Sequence, residues 1–467
     1  MNVLLVSVNR EHAPYPVFPL GLACLAGPLR AAGHRLSVLD LCFAADPEEA
    51  TRQALAEFSP DVVVLSLRNI DNVTYPGSRS YLSGVRDVVA ICRERAAVVV
   101  GGSGFSLMPR EVLAYLGADY GVVGEGEDVL PRLLARIAAG EGGDGLPGVV
   151  ARENAGFLPP HPVQAIGTPL RGLFQVERYH REGGMANIQT KRGCPFSCIY
   201  CTYPLLEGER MRLRPVADII AEIGDLVDVH GVSYLYFVDD IFNYPLEFAL
   251  ELCRAMSAAR LPVAWSAFIN PDFLPPQLLD AMLAAGCDAL EFGTDSGSPV
   301  MLRNLRKSFG IEKVREASRL CREAGVDFAH YILFGGPGET PATIAESFAL
   351  MDEVAPTAVI AMTGIRIFPG TAIYRQALAD GLITPETDLL RPAFYIAPTI
   401  ADTLCELVRE EALKRTNWVV PGLEITANDA MLEALRHFAG PGPLWKMLKL
   451  LGRRRGSVPS PWSHSPS

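Results

Sequence analysis

The chain has 467 residues, 49% hydrophobic and 20% charged, with a formal net charge of −11. That length suits two to four domains with large apolar cores. The acidic balance argues against nucleic acid as a main partner, because phosphate binding rests on Lys and Arg. No apolar run reaches the roughly 18 residues that read as a membrane span.

The chain opens on Met-Asn-Val-Leu-Leu-Val-Ser without a basic leader, so no signal peptide is expected. Asn2–Val8, Arg35–Leu41, Asp61–Leu67, Ala97–Val100 and Tyr120–Val123 are short apolar runs and read as strands. Leu20–Ala32, Asp46–Phe58 and Ser83–Glu94 carry helical periodicity between them. Continuous apolar strands alternating with helices predict a parallel sheet covered on both faces. Residues 1–140 therefore read as a doubly wound, Rossmann-like α/β domain, with ligands beyond the carboxyl ends of its strands. Those ends carry Ser66, Arg68 and Asn69, then Gly101-Gly102-Ser103-Gly104, then Gly124-Glu125-Gly126-Glu127. Glycines there admit close approach of a ligand to the backbone, although the same residues also suit plain tight turns. The dinucleotide fingerprint GxGxxG is absent.

Residues 141–184, rich in Gly, Pro and Arg, read as a linker. From Ala186 the alternation resumes, and Lys-Arg-Gly-Cys194-Pro-Phe-Ser-Cys198-Ile-Tyr-Cys201 follows the first strand. Three thiolates in this CxxxCxxC spacing can ligate three irons of a 4Fe-4S cluster and leave the fourth iron open for chemistry. A structural zinc site needs four ligands, and the nearest histidines, His180 and His230, lie outside zinc-finger spacing. Three clustered cysteines cannot all pair as disulfides. The other seven (Cys24, Cys42, Cys92, Cys253, Cys287, Cys321 and Cys405) sit singly in apolar surroundings and read as core residues. Unpaired thiols throughout fit a reducing, cytoplasmic location.

Helices at Val216–His230, Leu246–Ala259, Pro276–Ala285, Lys313–Ala324 and Pro341–Val354 alternate with strands at Tyr234–Val238, Val263–Ala267, Ala289–Gly293, Asp327–Phe334 and Thr363–Phe368. About six units over residues 185–375 are too few for a closed eight-unit barrel and predict a partial (β/α)6 barrel, with chemistry at the carboxyl ends of the strands. Those ends present Asp239-Asp240, Thr294-Asp295-Ser296 and Gly335-Gly336. Inward-facing His330 and Arg366 are candidate substrate contacts, with buried structural roles as the alternative. Residues 376–455 lose the alternation; Ala401–Lys414 and Asp429–Phe438 read as helices of a cap. The basic stretch Leu444–Arg455 reads as a solvated tail rather than a membrane contact, and the Ser/Pro-rich residues 456–467 as disordered. GxSxG, HExxH and P-loop motifs are absent, so bound cofactors would carry the hard chemistry.

The cysteine motif, with Tyr200 before its third cysteine, resembles the signature of the radical S-adenosylmethionine superfamily. Val-Gly-Gly-Ser-Gly and Gly-Val-Val-Gly-Glu-Gly-Glu upstream make the chain similar to its cobalamin-binding class, of the class B methyltransferase type. The resemblance implies that Cys194, Cys198 and Cys201 hold the cluster, and that Ser66, Arg68, Asn69, Gly101, Gly102, Ser103, Gly104, Gly124, Glu125 and Gly126 hold cobalamin. It implies S-adenosylmethionine contacts at Tyr200, Asp239, Asp240, Asp295, Ser296, Lys307, Gly335 and Gly336. A helix cap remains the alternative for Asp295 and a solvated charge for Lys307. Asp295-Ser296 stands where the family more often has Glu-Ser, and Val-Asp-Asp where it has Gly-Gly-Glu. The Asp-x-His-x-x-Gly motif that supplies a lower axial histidine is missing, and His12 is in the wrong arrangement to replace it.

The activity implied is carbon methylation of a small molecule. A 5′-deoxyadenosyl radical abstracts hydrogen from an unactivated carbon, and methylcobalamin supplies the methyl group. An external electron donor such as flavodoxin or ferredoxin would reduce the cluster. A cyclase or ring-rearranging enzyme with the same cofactors is the alternative, and a non-catalytic cobalamin or redox sensor the alternative of another class. A methylthiotransferase would need a second set of cluster cysteines in the first domain, and Cys24, Cys42 and Cys92 lack that spacing.

Overall fold

The computed structural model of the chain describes residues 1–152, 157–425, 436 and 440–449. Val- and Leu-rich strands build a six-stranded first sheet in the order Arg35–Asp40, Asn2–Ser7, Val62–Ser66, Ala97–Gly101, Tyr120–Val122, Val149–Ala151. The first five strands run parallel, and the order reverses beside Asn2–Ser7. Helices Leu20–Ala31, Pro47–Phe58, Leu82–Arg93 and Val129–Ala138 alternate with these strands and bury apolar residues. This is the doubly wound arrangement expected from the apolar runs. The sixth strand was not legible: Val149–Ala151 lies within the stretch read as a linker and pairs antiparallel with Tyr120–Val122. At three residues it is too short to carry a period.

The second sheet has seven parallel strands, in the order Trp418–Val419, Ala358–Thr363, Asp327–Phe334, Cys287–Asp295, Ala264–Ile269, Tyr234–Phe237, Ala186–Ile188. Its two end strands are edges, so the barrel is open. The strand read at Thr363–Phe368 is corrected: the barrel strand is Ala358–Thr363, and the chain turns at Gly364 (φ +71°). Ile365–Arg366 then pairs antiparallel with Phe394–Tyr395. The seventh strand, Trp418–Val419, comes from the segment read as a cap, which also holds the helix Leu404–Ala412.

The helix read at Asp429–Phe438 lies, except for Arg436, outside the described residues, as does the tail 456–467. The reading of Leu444–Arg455 as a solvated tail is corrected for its described part. Trp445 is 8% exposed and packs on Ala289, Ala329 and Ala358 at the base of the barrel. Lys446 and Lys449 pair with Asp288 and Asp327. Among the described residues no helix is long and apolar enough to cross a membrane.

The two sheets are tied by buried polar bonds. Arg366 pairs with Asp71 at 2.9 Å, Tyr179 donates to Asp40 at 2.8 Å, and Asn187 donates to the Phe18 carbonyl at 3.1 Å. A buried charge is tolerated only when it is paired and hydrogen-bonded, so these contacts fix how the two strand-end faces meet.

Candidate active site

A cavity of about 320 Å³ opens where the carboxyl ends of the first sheet face the second. Of the residues read as cobalamin contacts, Ser66, Arg68, Gly101, Gly102, Ser103, Gly124, Glu125 and Gly126 line it, and Asn69 and Gly104 do not. Gly102 is required there. Its φ is +99°, and a Cβ would lie 2.6 Å from the Leu67 carbonyl oxygen. The loop therefore lies flat against the end of Val62–Ser66 and leaves its outer side open. Ser103 donates to the Arg68 carbonyl at 2.8 Å, which fixes the loop that carries the Arg68 side chain into the cavity. His12 is turned away: its Nε2 bonds the Cys42 carbonyl at 2.6 Å.

Segments that follow strands of the second sheet contribute Gln189, Arg192, Tyr203, Leu206, Glu207 and Val238 to the same cavity. Sequence reasoning missed these: Arg192 stands in the cysteine-motif stretch but is not one of its ligands, and the others belong to no motif. Glu125 corrects the reading of a ligand contact in part. Its carboxylate is taken by Arg192 at 3.0 Å, Arg212 at 2.5 Å and the Val163 N–H at 2.8 Å. Arg192 also pairs with Glu127 at 2.7 Å.

Two residues after Arg192 the cysteine loop begins. A two-residue antiparallel pair, Lys191–Arg192 with Arg212–Leu213, closes its base, and the Cys194 N–H bonds the Gly208 carbonyl at 3.1 Å. All ten cysteines are free. Burial pushes the Cys194 thiol up to about 11, the Cys201 thiol to about 12, and Cys198 upward as well. Cys194 and Cys201 each feel the charge of Cys198, and Lys307 opposes the rise at Cys194 and Cys198. Three thiols within eight residues on one loop, with Lys307 beside them, form a donor set that suits an iron–sulfur cluster.

The S-adenosylmethionine candidates divide. Asp240 Oδ2 is buried with no hydrogen-bond partner. Burial first, then Glu207 and Asp239, push the Asp240 carboxyl up to about 8. An orphaned buried oxygen is costly and fits an incoming cationic donor. Asp239 is corrected: its carboxylate is filled by Thr190 N–H at 2.6 Å, Thr190 Oγ1 at 2.5 Å and Lys191 Nζ at 3.0 Å, so it braces the loop. Asp295, at φ +65°, pairs with Lys307 at 2.7 Å and accepts from Tyr200 at 2.5 Å. Ser296 Oγ accepts from the Ser298 N–H and meets Ser347 Oγ at 3.1 Å. Gly335 donates its N–H to Glu339 at 3.3 Å and, with Gly336, ends the strand Asp327–Phe334.

Both substrate candidates are corrected. His330 is fully buried, its Nδ1 bonded to Thr294 at 2.6 Å, its Nε2 to Ser318 at 3.0 Å, and its ring stacked on Phe292. It faces the helix layer and not the barrel interior, and burial lowers its pKa to about 3. Arg366 is spent on Asp71 and on the Leu389 carbonyl at 2.8 Å.

A glycine-edged cleft and a three-thiol loop facing it across one interface define an iron–sulfur enzyme with an attached nucleotide-cofactor domain. Residues 6–134 match the B12 binding domain family, and residues 188–351 match the Radical SAM superfamily. The tryptophan 2-C-methyltransferase of Streptomyces laurentii is 26% identical over 459 residues, covering 82% of this chain and 76% of the relative. The cytidylyl-2-hydroxyethylphosphonate methyltransferase of Streptomyces wedmorensis is 22% identical, covering 90% of each. The radical S-adenosylmethionine methyltransferase TsrM from Kitasatospora setae, solved with cobalamin and a 4Fe-4S cluster bound, shares the fold. Its TM-score is 0.85 at 24% identity, covering 98% of this chain and 100% of that one. The chain belongs to the cobalamin-binding radical S-adenosylmethionine enzymes.

Proposed function

We propose that this chain methylates an unactivated carbon of a small-molecule substrate at the interface of two units, residues 1–140 and 185–375. The observation that carries the reading is the pairing of Arg192 with Glu125 and Glu127. Arg192 precedes Cys194 by two residues, and the two carboxylates belong to the glycine loop of the cleft. One buried cation thus fixes the distance between the two cofactor loops.

Cys194, Cys198 and Cys201 hold the cluster, while Asp240, Tyr200, Asp295, Lys307 and the Gly335-Gly336 backbone bind and orient S-adenosylmethionine. Gly101, Gly102, Ser103, Gly124 and Gly126 would hold cobalamin, and Arg68 would reach it from the same cleft. When bound, the cluster with S-adenosylmethionine supplies a 5′-deoxyadenosyl radical, and cobalamin supplies the methyl group. The chain's own work is positional. Asp240 accepts the methionyl ammonium through a charge-assisted hydrogen bond. The buried interdomain pairs hold both cofactor loops. The named relatives act on tryptophan and on a cytidylyl phosphonate, which supports a small-molecule acceptor. A cytoplasmic location and reduction by flavodoxin or ferredoxin complete the reading.

The test uses anaerobically reconstituted protein supplied with cobalamin. Iron and cobalamin retention, followed by S-adenosylhomocysteine and 5′-deoxyadenosine on addition of S-adenosylmethionine and reductant, supports methyl transfer. Cobalamin retention with 5′-deoxyadenosine alone moves the chain to the cyclase or rearrangement class. No cobalamin retention removes the reading of the first unit.

A further inference from the structure

The inner face of the strand Cys287–Asp295 carries a second acidic group that the cofactor reading does not use. Leu290 and Phe292 point to the helix layer, where Phe292 stacks on His330. The alternate face therefore carries Glu291, before the register of this strand shifts between Phe292 and Asp295. Glu291 sits four residues before Asp295 in this strand, nearer the base of the barrel, where Trp445 reaches it. It is 2% exposed.

Among the described residues, every hydrogen-bond partner of this carboxylate is a neutral donor from an aromatic side chain. Trp445 Nε1 donates to Oε1 at 2.8 Å, Tyr236 donates to Oε2 at 2.9 Å, and Tyr331 donates as well. Among the described residues, no Lys, Arg or His nitrogen lies within the 4.0 Å of an ion pair with Glu291. An ionised carboxylate offers about four acceptor positions, so three donors leave about one open. A buried carboxylate without a cation is costly, because dipoles offset only part of the lost hydration. The surrounding surface is aromatic. Phe268 lies between Tyr236 and Tyr331, with ring centroids at 6.4 and 4.8 Å. Tyr15, from the loop after the first strand, lies within electrostatic range of both tyrosines and of Glu291. These four rings are only partly buried.

We infer that Glu291, with the rings of Tyr15, Tyr236, Phe268 and Tyr331, is the specificity site of the barrel, built for a protonated amine on an aromatic small molecule. A carboxylate gives the amine a charge-assisted hydrogen bond, and ring faces add cation–π attraction in a desolvated site. An acidic acceptor molecule is disfavoured at the same place by like charge. The inference rests on the proposed function, since it takes the barrel interior as the place where the acceptor binds.

The test is calorimetric titration of the reconstituted holoenzyme with tryptamine and with indole-3-propionate, which share a ring and differ in charge. Iron and cobalamin content are measured on the same sample. Tryptamine is expected to bind about 10- to 100-fold tighter, the range for one charged hydrogen bond. Glu291→Gln is expected to abolish most of that preference with cofactor content unchanged. Phe268→Leu leaves the carboxylate and its donors in place and is expected to weaken tryptamine by roughly 3- to 10-fold. Equal affinity for the two probes in the parent enzyme overturns the inference, as does a preference that survives Glu291→Gln. Should Glu291→Gln fail to fold, an unchanged tryptamine affinity in Phe268→Leu overturns it. Loss of cobalamin or iron from the parent enzyme counts against the proposed function instead.

Discussion

Lys307 and Tyr200 reach the same carboxylate oxygen of Asp295, at 2.7 and 2.5 Å, at the mouth of the barrel. Tyr200 lies between two of the cluster cysteines in sequence, and Cys198 feels the Lys307 charge. The pair therefore joins the cysteine loop to the end of Cys287–Asp295. Lys307→Met leaves Asp295 buried beside an acceptor-rich loop without its cation. Breaking such a pair costs about 3–5 kcal/mol, and most of it returns when the partner is neutralised too. Urea unfolding of Lys307→Met is expected to show that loss, and the double variant with Asp295→Asn to recover a large part. Equal stabilities of parent and single variant would show that the pair does not form.

Gly102→Ala tests the cleft. At φ +99° an alanine is strained by about 1–3 kcal/mol, and its Cβ would meet the Leu67 carbonyl at 2.6 Å. The loop must lift from the end of Val62–Ser66, so cobalamin content after reconstitution is expected to fall while iron content holds. Gly27→Ala is the control. It lies inside the helix Leu20–Ala31, a Cβ there has nothing within 4 Å, and the change is expected to stabilise by about 0.5–1 kcal/mol.

Much of this was legible in the sequence, because the signals were local. The three cysteines within eight residues, the Gly-Gly-Ser-Gly loop and five apolar runs of the first sheet all carry their meaning in adjacent residues. What failed was direction and distance. His330 sits in a strand whose face cannot be told from an apolar run, and its partners Thr294 and Ser318 lie 36 and 12 residues away. Arg366 spends its charge on Asp71, 295 residues earlier, and that pairing exists only once the two sheets dock. Asp239 and Asp240 are neighbours of opposite fate. In the bend after Tyr234–Phe237, one carboxylate is filled by Thr190 and Lys191 and the other keeps a bare oxygen.

The Arg366 correction has a stability consequence. Its guanidinium and Asp71 are 4% and 0% exposed in their side chains. Arg366→Met is expected to destabilise by about 3–5 kcal/mol in urea. Affinity for any small-molecule acceptor should stay unchanged where the variant remains folded. A variant of normal stability with weakened acceptor binding would restore the substrate reading.

Glu339 gives a pH dependence with a definite sign. It is 1% exposed, accepts from Gly335 N–H and Thr343 Oγ1, and is pushed up to about 7 mainly by burial. Between its ordinary value of 4.5 and about 7 the folded chain holds a proton that the unfolded chain has released. Stability from this group is thus fully present below 4.5 and is lost as pH rises to about 7. The full span is about 3 kcal/mol. Unfolding free energies measured from pH 4.5 to 7.5 should fall less steeply in Glu339→Gln than in the parent. Parallel curves would mean that Glu339 is already ionised in the folded chain.

Trp445 is the last test, because it decides whether the chain's basic end belongs to the fold. Its indole fills the space left by Ala289, Ala329 and Ala358 at the barrel base, and its N–H meets Glu291. A larger residue at any of those three positions would close that space. Trp445→Ala removes the packing and leaves Glu291 one donor short, so a loss of about 3–5 kcal/mol is expected. Lys449 is 46% exposed in its ion pair with Asp327, so Lys449→Ala is expected to change stability by no more than about 1 kcal/mol. A large effect at Trp445 with a small one at Lys449 means that apolar burial, and not the row of basic residues, holds the segment in place. Two small effects would return it to solvent.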